Sequence, residues 1–146
     1  MYMYQSILVP IDGSAHSCTA LKLAASLVDT AEGSLYVLNV QEPPLAEDAM
    51  GRAAGVIATN AEAMVQPAGL AVIEQACQQV GLDNKQLQPV VRAGQPAQTI
   101  VAEAERLGVD AVVMGSRGNS NIRSLVLGSV SHRVLHVAPC AVVVVR

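Results

Sequence analysis

Five short apolar runs, separated by stretches of helical periodicity, constrain this chain more than any other feature. They are Gln5–Ile11 (QSILVPI), Ser34–Val40 (SLYVLNV), Leu87–Ala93 (LQPVVRA), Asp110–Met114 (DAVVM) and Ala141–Val145 (AVVVV). Strands this continuously apolar must be covered on both faces, as in a parallel sheet. Between them, apolar residues recur every three or four positions. Cys18, Leu21, Ala24, Ala25 and Val28 do so within Ala15–Asp29, and Ile100, Val101, Ala104 and Leu107 within Ala97–Leu107. Ser14 is set to cap the first of these helices. Two more helices are expected: Pro67–Val80, opened by its proline and stopped by Gly81, and Leu125–Val137, stopped by Pro139. Glu47–Met64 reads as a loop or a short helix, because Gly51 and Gly55 weaken helical order. Its role stays open.

The order is therefore β-α-β-α-β-α-β-α-β. Right-handed crossovers restrict such a chain to a doubly wound α/β sandwich. Pro89 assigns the third strand to a sheet edge, since proline cannot donate to a central ladder. With 146 residues, a single domain over 1–146 is expected, large enough to bury a core without disulfides. Aromatics make up 2% and there is no Phe or Trp, so that core must be built from Ala, Val, Leu and Ile. Charged residues are only 14%, well under the usual quarter, so part of the apolar surface is expected to face a partner chain.

Several functional classes are argued against. A net charge of −3 opposes nucleic-acid binding. No run approaches the roughly 18 apolar residues of a membrane span. Ile7–Ile11 is too short for the apolar region of a signal peptide, so a cytoplasmic location is expected. Cys18, Cys77 and Cys140 are far apart, lack metal-ligand spacing, and read as reduced packing residues. No G-x-x-x-x-G-K-[ST] occurs, and no G-x-G-x-x-G follows the first strand. His132 and His136 are four apart, but Arg133 stands where a zinc-protease motif needs Glu, so they read as surface or partly buried histidines. Ser14 and His16 lack a nucleophile elbow, and no nucleophile–base–orienter set is evident.

One segment does point to chemistry. Directly after the fourth apolar run the chain reads Gly115-Ser-Arg117-Gly118, nine residues, then Gly128-Ser129. Glycine admits φ > 0 and lets main-chain N–H groups approach an anion. A helix N-terminus adds orphan N–H groups and partial positive charge. The segment is suited to holding phosphates. In an open parallel sheet the ligand crevice lies beyond the carboxyl ends of the strands, where strand order reverses. Pro10-Ile11-Asp12, Val40 and Met114-Gly115 close the first, second and fourth strands there.

The spacing Gly115-x-x-Gly118-(nine residues)-Gly128-Ser129 resembles the nucleotide-binding signature of the ATP-binding branch of the universal stress protein family. Ile7–Ser14 (ILVPIDGS), Val91–Pro96 (VRAGQP) and Pro139–Arg146 extend the resemblance over essentially the whole chain. The resemblance implies a five-stranded parallel sheet of order 3-2-1-4-5, like that of the adenine nucleotide alpha hydrolases, and a homodimer. It implies ATP, with Mg²⁺, as the ligand. Adenine would lie near Pro10, Ile11, Asp12 and Val40, with Met114 lining the crevice. Ribose and phosphates would be held by Gly115, Arg117, Gly118, Gly128, Ser129 and the nearby N–H groups of Val130 and Ser131. Asp12 could accept from a ribose hydroxyl or hold Mg²⁺, or serve only as a turn or helix-cap carboxylate.

Ala141–Val145 is apolar on both faces and, in that strand order, lies at an edge. Pairing with the same strand of a second copy would protect it. The alternative is cover by a loop or by the N-terminal segment carrying Tyr2 and Tyr4. The function expected is a homodimeric, ATP-dependent stress-response switch or sensor, acting on an unknown regulatory partner. A slow ATPase, or a dimeric scaffold binding another nucleotide such as cAMP, are the alternatives. A phosphate cradle without a strong general base fits binding better than fast hydrolysis.

Overall fold

The computed structural model describes residues 4–43, 54–117 and 127–146, with the backbone alone for 54–60. Five strands, β1 (Ser6–Pro10), β2 (Ser34–Gln41), β3 (Gln88–Ala93), β4 (Ala111–Gly115) and β5 (Ala141–Val145), form one sheet of order β3-β2-β1-β4-β5. All neighbours are parallel; Ile7 of β1 faces Leu35 on one side and Ala111 on the other. The expected sheet order is the observed one, with β3 at an edge as Pro89 requires.

Alternation along each strand divides the core between two layers. Ile7, Val9, Leu35, Val37, Val91 and Val113 point to one face. There they meet Ala20, Leu21 and Ala24 of α1 (Ala15–Leu27) and Ile73, Ala76 and Cys77 of α2 (Ala54–Val80). Leu8, Leu38, Val112 and Met114 point to the other. They meet Ile100 and Ala104 of α3 (Pro96–Leu107) and Val134 of α4 (Ser129–Val137). The chain winds outward from β1 to β3 under α1 and α2, then returns past β1 to β4 and β5 under α3 and α4. Strand order therefore reverses between β1 and β4, and the helices that follow those two strands leave on opposite faces.

The sequence reading needs correction at several points. Pro67 does not open a helix: α2 runs from Ala54 and carries Pro67 in its interior. Proline there forfeits a main-chain hydrogen bond, which tertiary contacts must offset. Val65, two residues before it, is buried in the core; Glu62 accepts from the N–H of Ala93 at 3.2 Å, and Gln66 donates to the carbonyl of Val91 at 3.3 Å. Past the proline, Gly69 lies flush on β3; a Cβ there would come within 2.3 Å of the Val91 side chain. The helix expected over Leu125–Val137 is observed as Ser129–Val137: Leu127 and Gly128 precede it, Gly128 as its N-cap, and Leu125 and Val126 lie outside the described residues. Tyr4 does not reach β5. It bridges to Val28 beyond the end of α1, donating to the Leu27 carbonyl and accepting from Asp29, at the far edge of the first core layer. Tyr2 lies outside the described residues.

The expected cap of α1 is observed. The Ser14 side chain caps α1 by accepting from the N–H of Ser17. Gly108 ends α3 in the left-handed conformation. The three cysteines are free, and burial pushes each thiol above its ordinary range, which disfavours a thiolate nucleophile.

Candidate functional site at the carboxyl ends of β1 and β4

Beyond Pro10 the chain stays extended for one residue, with the N–H of Ile11 donating to Leu38 at 2.8 Å, and then turns. Gly13 takes φ +86°, which asks for glycine. The Asp12 carboxylate accepts from the N–H of Ser14 at 2.9 Å, and the Ser17 hydroxyl donates to the Ser14 carbonyl. Asp12 is exposed at the mouth of this turn. The carbonyl of Ile11 is tied down from the side by Asn39, a buried amide inside an otherwise apolar strand, at 2.9 Å. Asn39 in turn accepts from Gln41. Asn39 and Gln41 were not singled out from the sequence; the signal available was a polar residue in the middle of SLYVLNV.

The end of β4 is fitted against both helices. A Cβ on Gly115 would stand 2.8 Å from the Cβ of His16 and 2.9 Å from its backbone carbon. Gly115 is therefore required by the close approach of α1. Its φ is not positive, and neither is that of Gly128 at −69°, so the left-handed freedom expected of these two glycines is not what they supply. The Gly115 carbonyl accepts from the buried Ser131 hydroxyl at 2.8 Å. Ser116 donates its N–H to Val145 and accepts from the N–H of Gly128. These bonds strap the start of α4 onto the end of β4.

Gly128 is the N-cap of α4, so among the described residues no side chain caps this helix, and its first turn contains no acidic residue. The N–H groups of Ser129, Val130 and Ser131 thus lack the side-chain acceptor that most helix starts supply. The positive end of the α4 dipole opens at the sheet's switch point. Ser129 is exposed, whereas Ser131 has spent its hydroxyl on Gly115 and has only its N–H to offer. Ser116, 2% exposed, has a hydroxyl with no hydrogen-bond partner among the described residues. It sits where the chain leaves β4, and was also missed from the sequence.

The structure brings Pro10, Ile11, Asp12, Met114, Gly115, Arg117, Gly128, Ser129, Val130 and Ser131 to this end of the two adjacent strands, with Val40 near the end of β2 beside them. Ile11 and Met114 are core residues on opposite faces, and little of their side chains is accessible. Gly118 lies outside the described residues. Among the described residues no cluster of three His, Cys, Asp or Glu forms. No described helix is long and apolar enough to cross a membrane.

Residues 3–146 match the model of the universal stress protein family. The chain belongs to that family. Universal stress protein YxiE of Bacillus subtilis (strain 168) is 31% identical over 158 residues, covering 99% of this chain and all of that one. Among solved structures, universal stress protein UspA from Lactobacillus plantarum superposes with a TM-score of 0.76 at 26% identity, over 99% of both chains. A universal stress protein solved in complex with cAMP shares the fold, with a TM-score of 0.63 at 22% identity over 99% of this chain and 98% of that one.

Proposed function

We propose that this universal stress protein is a single-domain, cytoplasmic, homodimeric switch that binds ATP at the carboxyl ends of β1 and β4. The observation that carries this reading is the start of α4, strapped to β4 with its amides unclaimed by any side chain among the described residues. Phosphates supply the acceptors such a turn lacks. Gly115, Arg117, Gly118, Gly128 and Ser129, with the N–H groups of Val130 and Ser131, would take the ribose and phosphates. Pro10, Ile11, Asp12, Val40 and Met114 would border the base. Asp12 suits Mg²⁺, which keeps most of its waters and takes one or two carboxylates beside nucleotide phosphates. That a relative of the same fold was crystallised with cAMP agrees with an adenine-nucleotide ligand.

Dimerisation is read from β5. Val145 turns its carbonyl toward β4, where Ser116 donates to it. Residues alternate along a strand, so Val142 and Val144 turn their main-chain groups outward. That edge has no neighbouring strand among the described residues, and its valines are half-buried. An apolar edge of this kind favours pairing with its copy.

No group at the described site is set to activate a water strongly, so hydrolysis should be slow. Calorimetric titration with ATP and with cAMP, paired with a phosphate-release assay, tests the reading. Saturable ATP binding with turnover below about one per minute, a barrier above about 20 kcal/mol, supports the switch. Fast release of phosphate, or preference for cAMP, would replace it with one of the alternatives.

A further inference from the structure

On the exposed side of α4, beginning one turn past its N-cap, His132 and His136 bring their imidazoles together. Their Nε2 atoms are 3.3 Å apart, with ring centroids 4.6 Å apart and ring planes at 65°. An i,i+4 spacing stacks the two side chains on one face of the helix. Among the described residues, neither ring is held by a carboxylate or a carbonyl; each finds only the other. Such a contact serves as a hydrogen bond when one nitrogen carries a proton, and as a chelating pair when both present lone pairs.

The separation decides what the pair can chelate. Two zinc–imidazole bonds of about 2.05 Å meeting at a tetrahedral angle set their nitrogens about 3.3 Å apart. We propose that His132 and His136 form a bidentate site for a divalent late first-row transition-metal ion of the zinc class. Neutral imidazole is a preferred ligand for such ions. No third His, Cys, Asp or Glu joins the pair among the described residues, so the other coordination positions go to water and the ion exchanges freely. The proposal uses only the two imidazoles and does not rest on the phosphate reading.

The test is a calorimetric titration of the full chain, carrying no polyhistidine tag and no nucleotide, with zinc chloride. His132→Gln and His136→Gln are titrated alongside. One ion per chain is expected, and each substitution should weaken binding by more than about tenfold, at least the loss seen when only a supporting residue of a metal site is removed. Both histidines are exposed, so the variants should keep the native circular dichroism spectrum. A measurement on the native chain needs no variant: zinc should shift the imidazole NMR signals of His132 and His136 and leave those of His16 in place. Absence of saturable zinc binding, binding unchanged in both variants, or shifts centred on other side chains would overturn the proposal.

Discussion

Gly128→Asp separates the two roles of the α4 N-terminus. Gly128 has φ −69° and ψ 160°, the extended conformation usual for an N-cap, so aspartate fits without backbone strain. Its carboxylate would accept from Val130 or Ser131. Relative to glycine, an aspartate cap adds a few tenths of a kcal/mol, and its charge at the positive helix end adds roughly 0.3–1 kcal/mol. A total near 1 kcal/mol raises the melting temperature of a chain this long by about 2–4 °C. The same carboxylate would occupy the amides proposed for phosphate and set a negative charge against it. At an effective dielectric of about 20 and a separation of about 5 Å, like unit charges cost roughly 3 kcal/mol, reduced by salt to about 2–3 kcal/mol. ATP affinity should fall roughly a hundredfold. Adenosine, which has no phosphate, should bind both proteins alike. Thermal unfolding without ligand and calorimetric titration with ATP and adenosine read both effects. A destabilised variant would mean that the amides are already satisfied. A stabilised variant with undiminished ATP affinity would mean that phosphates bind elsewhere.

Other perturbations follow from particular contacts. Gly115→Ala forces a Cβ to within 2.8 Å of His16 and should cost about 1–3 kcal/mol, read as a lowered melting temperature; unchanged stability would refute the close approach of α1 to β4. Glu103, 6% exposed, holds Arg92 at 2.9 Å and Arg106, tying edge strand β3 to α3. Burial alone would raise its pKa, but hydrogen bonds from Arg106 and Arg92 and their charges hold the carboxyl below its ordinary range. A carboxyl with a depressed folded-state pKa adds stability above its unfolded value, and loses it as pH falls through the folded one. With half-exposed arginines the contribution is about 1–2 kcal/mol. Glu103→Gln should therefore melt earlier at neutral pH, with the gap to native closing below about pH 4; a gap independent of pH would refute it. Val144→Pro removes an N–H that points to the open sheet edge, so sedimentation should find a folded monomer where the native chain is dimeric. A dimeric variant would move the interface off β5.

The sheet was legible because each strand is an apolar run and proline and glycine punctuate the rest. Pro89 alone was enough to assign β3 to an edge. Ser14 was legible as a cap because its bond is local, to a residue three positions on. What escaped depends on residues distant in the chain. Pro67 looks like a helix start in isolation; only the docking of Val65 and Gly69 against the core and β3 carries α2 through it. The spacing of Gly115 and Gly128 marked the turn between β4 and α4, but the structure gives these glycines a different reason. Gly115 is small because α1 arrives there, and Gly128 matters for the cap it does not provide. Asn39 escaped because its partner, the Ile11 carbonyl just beyond β1, is 28 residues away in the chain. The histidine pair was visible as a spacing, but its 3.3 Å approach is a matter of rotamers.

The proposed phosphate turn can be tested at the level of single amides. In ¹H–¹⁵N spectra of the labelled protein titrated with ATP and Mg²⁺, the amides of Ser129, Val130 and Ser131 should shift most among the described residues, with smaller shifts at Asp12 and Val40. Saturating shifts centred on another part of the fold, with those three amides unmoved, would contradict the account.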